Sequence, residues 1–245
     1  MSDTRHPTAG MPSLGAWRIT TAPPLFERAD FTRAIHEVRS PLCVVQDPTT
    51  GHVGIALGGQ SVPEPAPGAY TLLGALPALF PEWLGDRSFN EAHGTRFPYV
   101  AGAMANGIAT PRLVIAMARA HMLGFYGAAG LSFPKVEAGL QEILDALSGT
   151  TLAWGANLIH SPNEPALEER VADLYVRAGV PRVSASAYMR LTPSIVRYAY
   201  AGVGVDAAGN LVRPRHVFAK ISRPETARQF LSPAPAAMLE QLVTD

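Results

Sequence analysis

Four short stretches of this chain carry residue types that could do chemistry together. "LAWGANLI" (152–159) closes on Asn157, "RVSASAY" (182–188) holds Ser184 and Ser186, and "HVFAK" (216–220) ends in Lys220. An amide supplies two donors and an acceptor, which suits a ligand edge of mixed polarity. In a strand, Ser184 and Ser186 face one side together, and buried hydroxyls need partners. A lysine closing an apolar run is an unusual place for a solvated charge. The fourth stretch is "GAMANGIATP" (102–111). Met104, Ala105, Asn106 and Gly107 lie in a run so poor in side chain that something flat and large could approach the backbone. A tight strand-to-helix turn would use the same residues. Similarly, a turn-capping asparagine, hydroxyls satisfied by backbone and a lysine emerging into solvent are the plainer readings of the other three. His160 follows the Asn157 run at a position suited to substrate contact; no other catalytic candidate stands out. His121 reads as structural, at a helix end where a cation suits the dipole. No His, Cys, Asp or Glu spacing resembles a metal site, and G-x-S-x-G is absent.

These stretches recur at the ends of strand-like runs, each followed by a helical pattern. "YVAGAM" (99–104) reads as a strand and "TPRLVIAMARAHM" (110–122) as a helix, with Thr110 as cap and Pro111 in the first position. "LGFYGAAG" (123–130) reads as a strand and glycine turn, "PKVEAGLQEILDAL" (134–147) as a helix, and "ALEERVADLYVRAG" (166–179) as another. "TPSIVRYAYAG" (192–202) and "RPETARQFL" (223–231) complete five strand-then-helix units, the pattern of a parallel sheet. A doubly wound sheet and a closed barrel are the two packings to weigh. The absence of G-x-G-x-x-G after the first strand argues against the dinucleotide-binding version. In a barrel, function sits on the loops after the strands.

The N-terminal region has a different texture. Residues 1–16 read as a loose arm, 28–40 as a short helix with Phe31, Ile35 and Val38 on one face, and 41–47 and 53–59 as a hairpin. "SVPEPAPGAY" (61–70) reads as a Pro-rich linker. The domain expectation is therefore an arm and small α+β segment over 1–97, then the N-terminal part of a barrel over 98–245.

Bulk composition excludes some classes. Lys+Arg and Asp+Glu are equal at 20 each, so no electrostatic case exists for nucleic acid or an anionic membrane. No run approaches about 18 apolar residues, the length of a membrane span, and the polar N-terminus has no signal-peptide core. The single cysteine, Cys43, lies in an apolar run and reads as core. A reducing, cytoplasmic setting is the expectation.

The long stretch from Tyr70 to Ser132 resembles the PfaD-type proteins, the trans-acting, FMN-dependent enoyl reductases of polyketide and polyunsaturated-fatty-acid synthases. They sit in the wider 2-nitropropane dioxygenase-like (nitronate monooxygenase) group of flavin TIM barrels. "GANLIHSP", "VSASAYM" and "FAKISRPETARQFLSPAP" continue the resemblance. It implies an α/β fold of (β/α)8 type, incomplete here because family members run to roughly twice this length. The later strands, with a Gly-Gly-His loop and the glycine loops for the FMN phosphate, would follow Asp245. The chain is thus expected to be a piece of a longer protein or half of a split enzyme, completed by a C-terminal half or a second copy. By the same resemblance, Met104, Ala105, Asn106 and Gly107 lie under the isoalloxazine, and Asn157, Ser184 and Ser186 meet the flavin or substrate. Lys220 lies near the ring's N1–O2 edge. The implied reaction reduces an α,β-unsaturated thioester on an acyl carrier protein, with NADPH or NADH as reductant. A nitronate monooxygenase and an inactive half-barrel are the alternatives. "GDRSFNEAHG" (85–94) fits the family but suggests no chemical role.

Overall fold

The computed structural model describes residues 13–63 and 66–244. The chain divides into two compact units, at Leu84/Gly85. In the first, β1 (Gly15–Arg18), α1 (Arg28–His36), β2 (Leu42–Gln46), β3 (Val53–Leu57), β4 (Gln60–Val62) and β5 (Tyr70–Leu76) form one antiparallel sheet in the order β3-β2-β5-β1-β4. Trp17 is completely buried among Val45, Ala56 and Leu72, and its indole N–H donates to the Gly58 carbonyl at 3.0 Å. Cys43 packs on the edge of this core, and burial pushes its thiol up, as fits an inert residue.

Three expectations for this unit are corrected. Residues 1–12 lie outside the described residues, but the arm does not extend to 16, because strand begins at Gly15. The Pro-rich stretch is no linker between domains. It connects β4 to β5, which enters the middle of the sheet. In α1 the buried residue is Ala34, while Ile35 and Val38 are exposed. A short helix against a sheet edge has room for a small residue at its contact, so apolar spacing alone misplaces the face.

The second unit contains α2 (Arg87–His93), β6 (Val100–Ala101), α3 (Pro111–Arg119), β7 (Leu123–Tyr126), α4 (Phe133–Ala146), β8 (Trp154–Ile159), α5 (Pro165–Arg177), β9 (Arg182–Ser186) and α6 (Pro193–Tyr200). It continues with the small hairpin β10 (Gly204–Val205) and β11 (Leu211–Val212), then β12 (His216–Ala219), α7 (Pro224–Leu231) and α8 (Ala236–Thr244). The expected alternation is present. Thr110 caps α3 by accepting from the Leu113 N–H at 3.1 Å, with Pro111 first in the helix, a contribution of about 1 kcal/mol. The first barrel strand is only two residues long rather than 99–104, because the chain turns away after Ala101.

The five parallel strands lie in the order β12-β9-β8-β7-β6. Their order never reverses, so the sheet has no switch point of the doubly wound kind. The main core lies on one face. Val114 of α3, Leu140 and Ile143 of α4, Tyr175 of α5 and Ile195 of α6 pack there against Trp154, Ala156 and Leu158 of β8 and Val183 and Ala185 of β9. The alternate residues of the strands face the other way, where Leu123, Phe125 and Ala153 form a second cluster with Phe89, Ala103 and Phe218. The sheet curls around this second face. Ala103 follows β6 at one edge and Lys220 follows β12 at the other, yet the Lys220 ammonium reaches the Ala103 carbonyl at 3.4 Å. Strands about 4.8 Å apart in a flat sheet would hold those edges far beyond a lysine's reach. This is an incomplete (β/α)8 barrel. No helix among the described residues is long and apolar enough to cross a membrane.

Candidate functional site

The concave face is sorted into two layers. At the N-terminal ends of the strands it is filled. The Phe125 ring packs on Phe218, 5.1 Å between centroids, and crosses Gly155, where a Cβ would lie 2.4 Å from it. Phe89 and His93 of α2 close this end. The Arg182 guanidinium donates to the His93 carbonyl at 2.8 Å and to its Nδ1 at 3.4 Å, and the His93 ring meets His216 edge-on at 5.1 Å. "GDRSFNEAHG" thus has a role the sequence did not suggest: it is the floor of the half-barrel.

Towards the C-terminal ends the concave face becomes polar. Asn157 and Ser184 are buried side by side in register, with Ser186 two pairs further along on the same face. The Asn157 Nδ2 donates to the Ser184 carbonyl and to the Ser186 Oγ, both at 2.7 Å. A carbonyl only accepts, so these contacts fix the amide orientation. Asn157 Oδ1 takes no hydrogen bond among the described residues and remains available as an acceptor. Behind the strand, the buried Tyr175 hydroxyl donates to the Asn157 carbonyl at 2.9 Å. Lys220 donates its backbone N–H to Ala185 at 2.9 Å while its side chain spans to Ala103. Lys220 is exposed.

Met104, Ala105, Asn106 and Gly107 form a turn after β6 with Met104, Ala105 and Asn106 exposed. This turn is locked to the loop after β7. The Asn106 N–H donates to the Ala129 carbonyl at 2.7 Å and the Gly107 N–H to Gly127 at 2.9 Å. Asn106 and Gly107 both take the left-handed backbone, at φ 57° and 73°. Gly127 is required by approach: a Cβ there would lie 1.7 Å from the Met104 carbonyl oxygen. A cleft of about 390 Å³ opens at the same end, between the loops after β7 and β8, with Gly130, Ser132, Asn157 and Ser161 on its wall.

His160 has the opposite parity. Its N–H donates to the Ser186 carbonyl at 3.0 Å, so it continues the β8 ladder, and its ring turns to the helix side. There Nδ1 lies 2.8 Å from Glu168 Oε2, and the ring stacks on Tyr188 at 5.3 Å. Sequence reasoning missed Glu168, which is buried on the first turn of α5. Besides His160 it accepts from the Ser161 N–H at 3.0 Å, the Tyr188 hydroxyl at 3.1 Å and the Thr192 hydroxyl at 2.7 Å. Burial works to raise its pKa, but the hydrogen bonds from Ser161, Thr192, His160 and Tyr188 outweigh it and hold the carboxyl below its ordinary range. The same burial, with the Glu168 charge beside it, pushes the Tyr188 hydroxyl well up. The signal for Glu168 was present: a glutamate on the inner face of the helix after "NLIHSP", eight residues from His160. The structure therefore brings Asn157, Ser184 and Ser186 together, brings Lys220 to the stretch before Met104, and turns His160 away from them.

No family model matches the chain. It is 40% identical over 211 residues to a polyunsaturated fatty acid synthase component of Thraustochytrium sp., covering 84% of this chain and 13% of that protein. It is 42% identical over 172 residues to the polyketide biosynthesis protein ThaF of Burkholderia thailandensis, covering 70% of this chain and 14% of that protein. Among solved structures, the enoyl reductase domain of MlnA, from the macrolactin biosynthesis cluster of Bacillus amyloliquefaciens, superposes with a TM-score of 0.63 at 34% identity. That match covers 66% of this chain and 37% of the MlnA chain. The chain thus spans a small part of the length of its curated relatives. With components of polyunsaturated-fatty-acid and polyketide synthases as relatives on sequence and an enoyl reductase domain on fold, the chain resembles part of a PfaD-type enoyl reductase.

Proposed function

We propose that this chain carries part of the flavin-binding barrel of an FMN-dependent enoyl reductase. It acts in trans on α,β-unsaturated thioesters borne by an acyl carrier protein, in polyketide or polyunsaturated-fatty-acid synthesis. The observation that carries the reading is the polar layer of Asn157, Ser184 and Ser186 above an aromatic floor. At the same end lie Lys220 and the small exposed turn at Met104–Gly107. These residues fit a flat heteroaromatic ring. Asn157 Oδ1 is an acceptor for a ring N–H, Lys220 a cation for a ring oxygen, and Ala105 and Gly107 leave room for the ring face. FMN, when bound, supplies hydride chemistry, with NADPH or NADH as the external reductant. The chain's own residues hold and orient the ring; Lys220 favours negative charge at its edge; and the floor of Phe125, Phe218 and Phe89 excludes water from below.

The test is an absorbance spectrum and a turnover assay, on this chain alone and with the remaining barrel of a family member supplied. The reading expects yellow protein in the completed barrel and NADPH-dependent reduction of a crotonyl thioester. Turnover of a nitroalkane in place of the thioester would make it a nitronate monooxygenase instead. Colourless protein in both arms would leave a half-barrel without catalytic function.

A further inference from the structure

The buried carboxylate of Glu168 touches none of the residues of the concave polar layer, yet it holds both strand ends that carry them. Through His160 and Ser161 it grips the segment directly after β8, whose inward residue is Asn157. Through Tyr188 and Thr192 it grips the segment after β9, whose inward residue is Ser186. Thr192 is also the cap of α6, accepting from the Ile195 N–H at 3.4 Å. One carboxyl group therefore meets four polar groups from two neighbouring loops, and the ionised form its hydrogen bonds favour is acceptor-only, so His160 Nδ1 donates with the other three.

The link between the two grips is strained. Ser186 faces the concave side and Tyr188 the helix side, with only Ala187 between them. Ala187 takes a left-handed backbone, φ 62°, with a side chain that makes this unfavourable. Such a conformation persists only where surrounding contacts over-determine it. The contacts on one side are Tyr188 and Thr192 to Glu168. On the other they are Asn157 Nδ2 to Ser186 Oγ and the His160 N–H to the Ser186 carbonyl.

We infer that Glu168 is a positioning residue. It sets the hydrogen-bonding geometry of Asn157 and Ser186 by clamping the ends of β8 and β9 from the helix side, and it fixes His160 as the Nδ1–H tautomer in doing so. The inference rests on the flavin reading for its functional consequence but not for its geometry. It is tested in solution with Glu168→Gln, which keeps the shape and replaces one acceptor oxygen by a donor. Two readouts need no cofactor: the ¹⁵N shifts of the His160 ring and the ¹H–¹⁵N resonances of the Asn157 side-chain amide. A third is FMN affinity, from quenching of flavin fluorescence.

Glu168→Gln leaves one oxygen for the Ser161 N–H and His160 Nδ1–H and turns an amide donor toward Tyr188 and Thr192, so it is expected to shift the His160 Nδ1–H resonance without losing it, move the Asn157 amide resonances and weaken FMN binding to the completed barrel about tenfold. Tyr188→Phe and Thr192→Val, each removing one donor, keep the tautomer and shift the Asn157 resonances by less. Unchanged Asn157 resonances in all three variants overturn the clamp. If Glu168→Gln does not fold, the Tyr188→Phe, Thr192→Val double variant decides on the same Asn157 signal. If the unaltered protein binds no FMN even with the remaining barrel supplied, the flavin reading fails, and the tautomer and amide signals still judge the clamp.

Discussion

Ala105 and Gly127 lie within one knot of backbone at the mouth of the half-barrel, and substitution should separate two reasons for small residues there. The sequence around Met104–Gly107 reads as room for a flat ring or as a tight turn. The structure supports a turn, and locates its strictest steric demand elsewhere, at Gly127, where the Met104 carbonyl fills the space of a Cβ. No side-chain rotation relieves a contact of 1.7 Å with backbone. Gly127→Ala should therefore cost about 3 kcal/mol or more in urea denaturation, at the upper end of overpacking effects. The Ala105 side chain is exposed, so Ala105→Phe should leave the denaturation midpoint nearly unchanged and still strip flavin from a completed barrel. Retained flavin in Ala105→Phe would remove this turn from the cofactor site. The Gly127 requirement was not legible in sequence, because it depends on a carbonyl more than twenty residues away.

Helix α2 shows the same limit at the scale of an element. Its sequence gives a clear start, Asp86 accepting from the Ser88 N–H at 2.9 Å, and a glycine stop at Gly94. Its purpose is set by Arg182, 89 residues further on, and by His216 and Phe218 of β12. The strands and helices around it were readable because periodicity is local; the floor they enclose was not. This floor makes stability depend on pH. Burial, then the Arg182 charge, then His216, push the His93 pKa down to about 4 from its usual 6.5. The unfolded chain thus binds a proton at His93 that the folded chain refuses between those values. Stability is complete above about pH 6.5 and falls as the pH drops toward 4. His216 is shifted in the same direction, by burial and Arg182, and adds to the slope. His93→Asn keeps an acceptor near the Arg182 guanidinium but cannot titrate. Denaturation midpoints measured from pH 7.5 to 4.5 should fall less steeply in His93→Asn than in the unaltered protein. Parallel slopes would show that α2 is not held by a neutral imidazole.

For the whole molecule, the strand count decides the behaviour. A (β/α)8 barrel closes with eight strands, and five leave β6 and β12 as edges of the described sheet. Strand β6 is two residues long and offers little to pair with. β12 offers more: it is half-buried, and Val217, Phe218 and Ala219 are apolar, the profile of an edge that recruits another strand. Its hydrogen-bond phase follows from the ladder. The N–H groups of His216 and Lys220 donate toward β9, to Pro181 at 3.0 Å and Ala185 at 2.9 Å. By alternation in a parallel pair, the N–H groups of Val217 and Ala219 point to the open edge. The isolated chain should therefore self-associate through β12, visible as a concentration-dependent rise in sedimentation coefficient. Ala219→Pro removes one outward N–H and leaves the bonds to β9 intact, a position where an edge strand tolerates proline. It should reduce the association without lowering the thermal midpoint by more than about 2 °C, on the scale of less than 1 kcal/mol for a chain of this size. Supplying the remaining barrel should suppress the association in the unaltered chain, because the same edge cannot pair twice. A chain that sediments as a monomer at every concentration would mean that β12 is covered in solution by the chain's own residues.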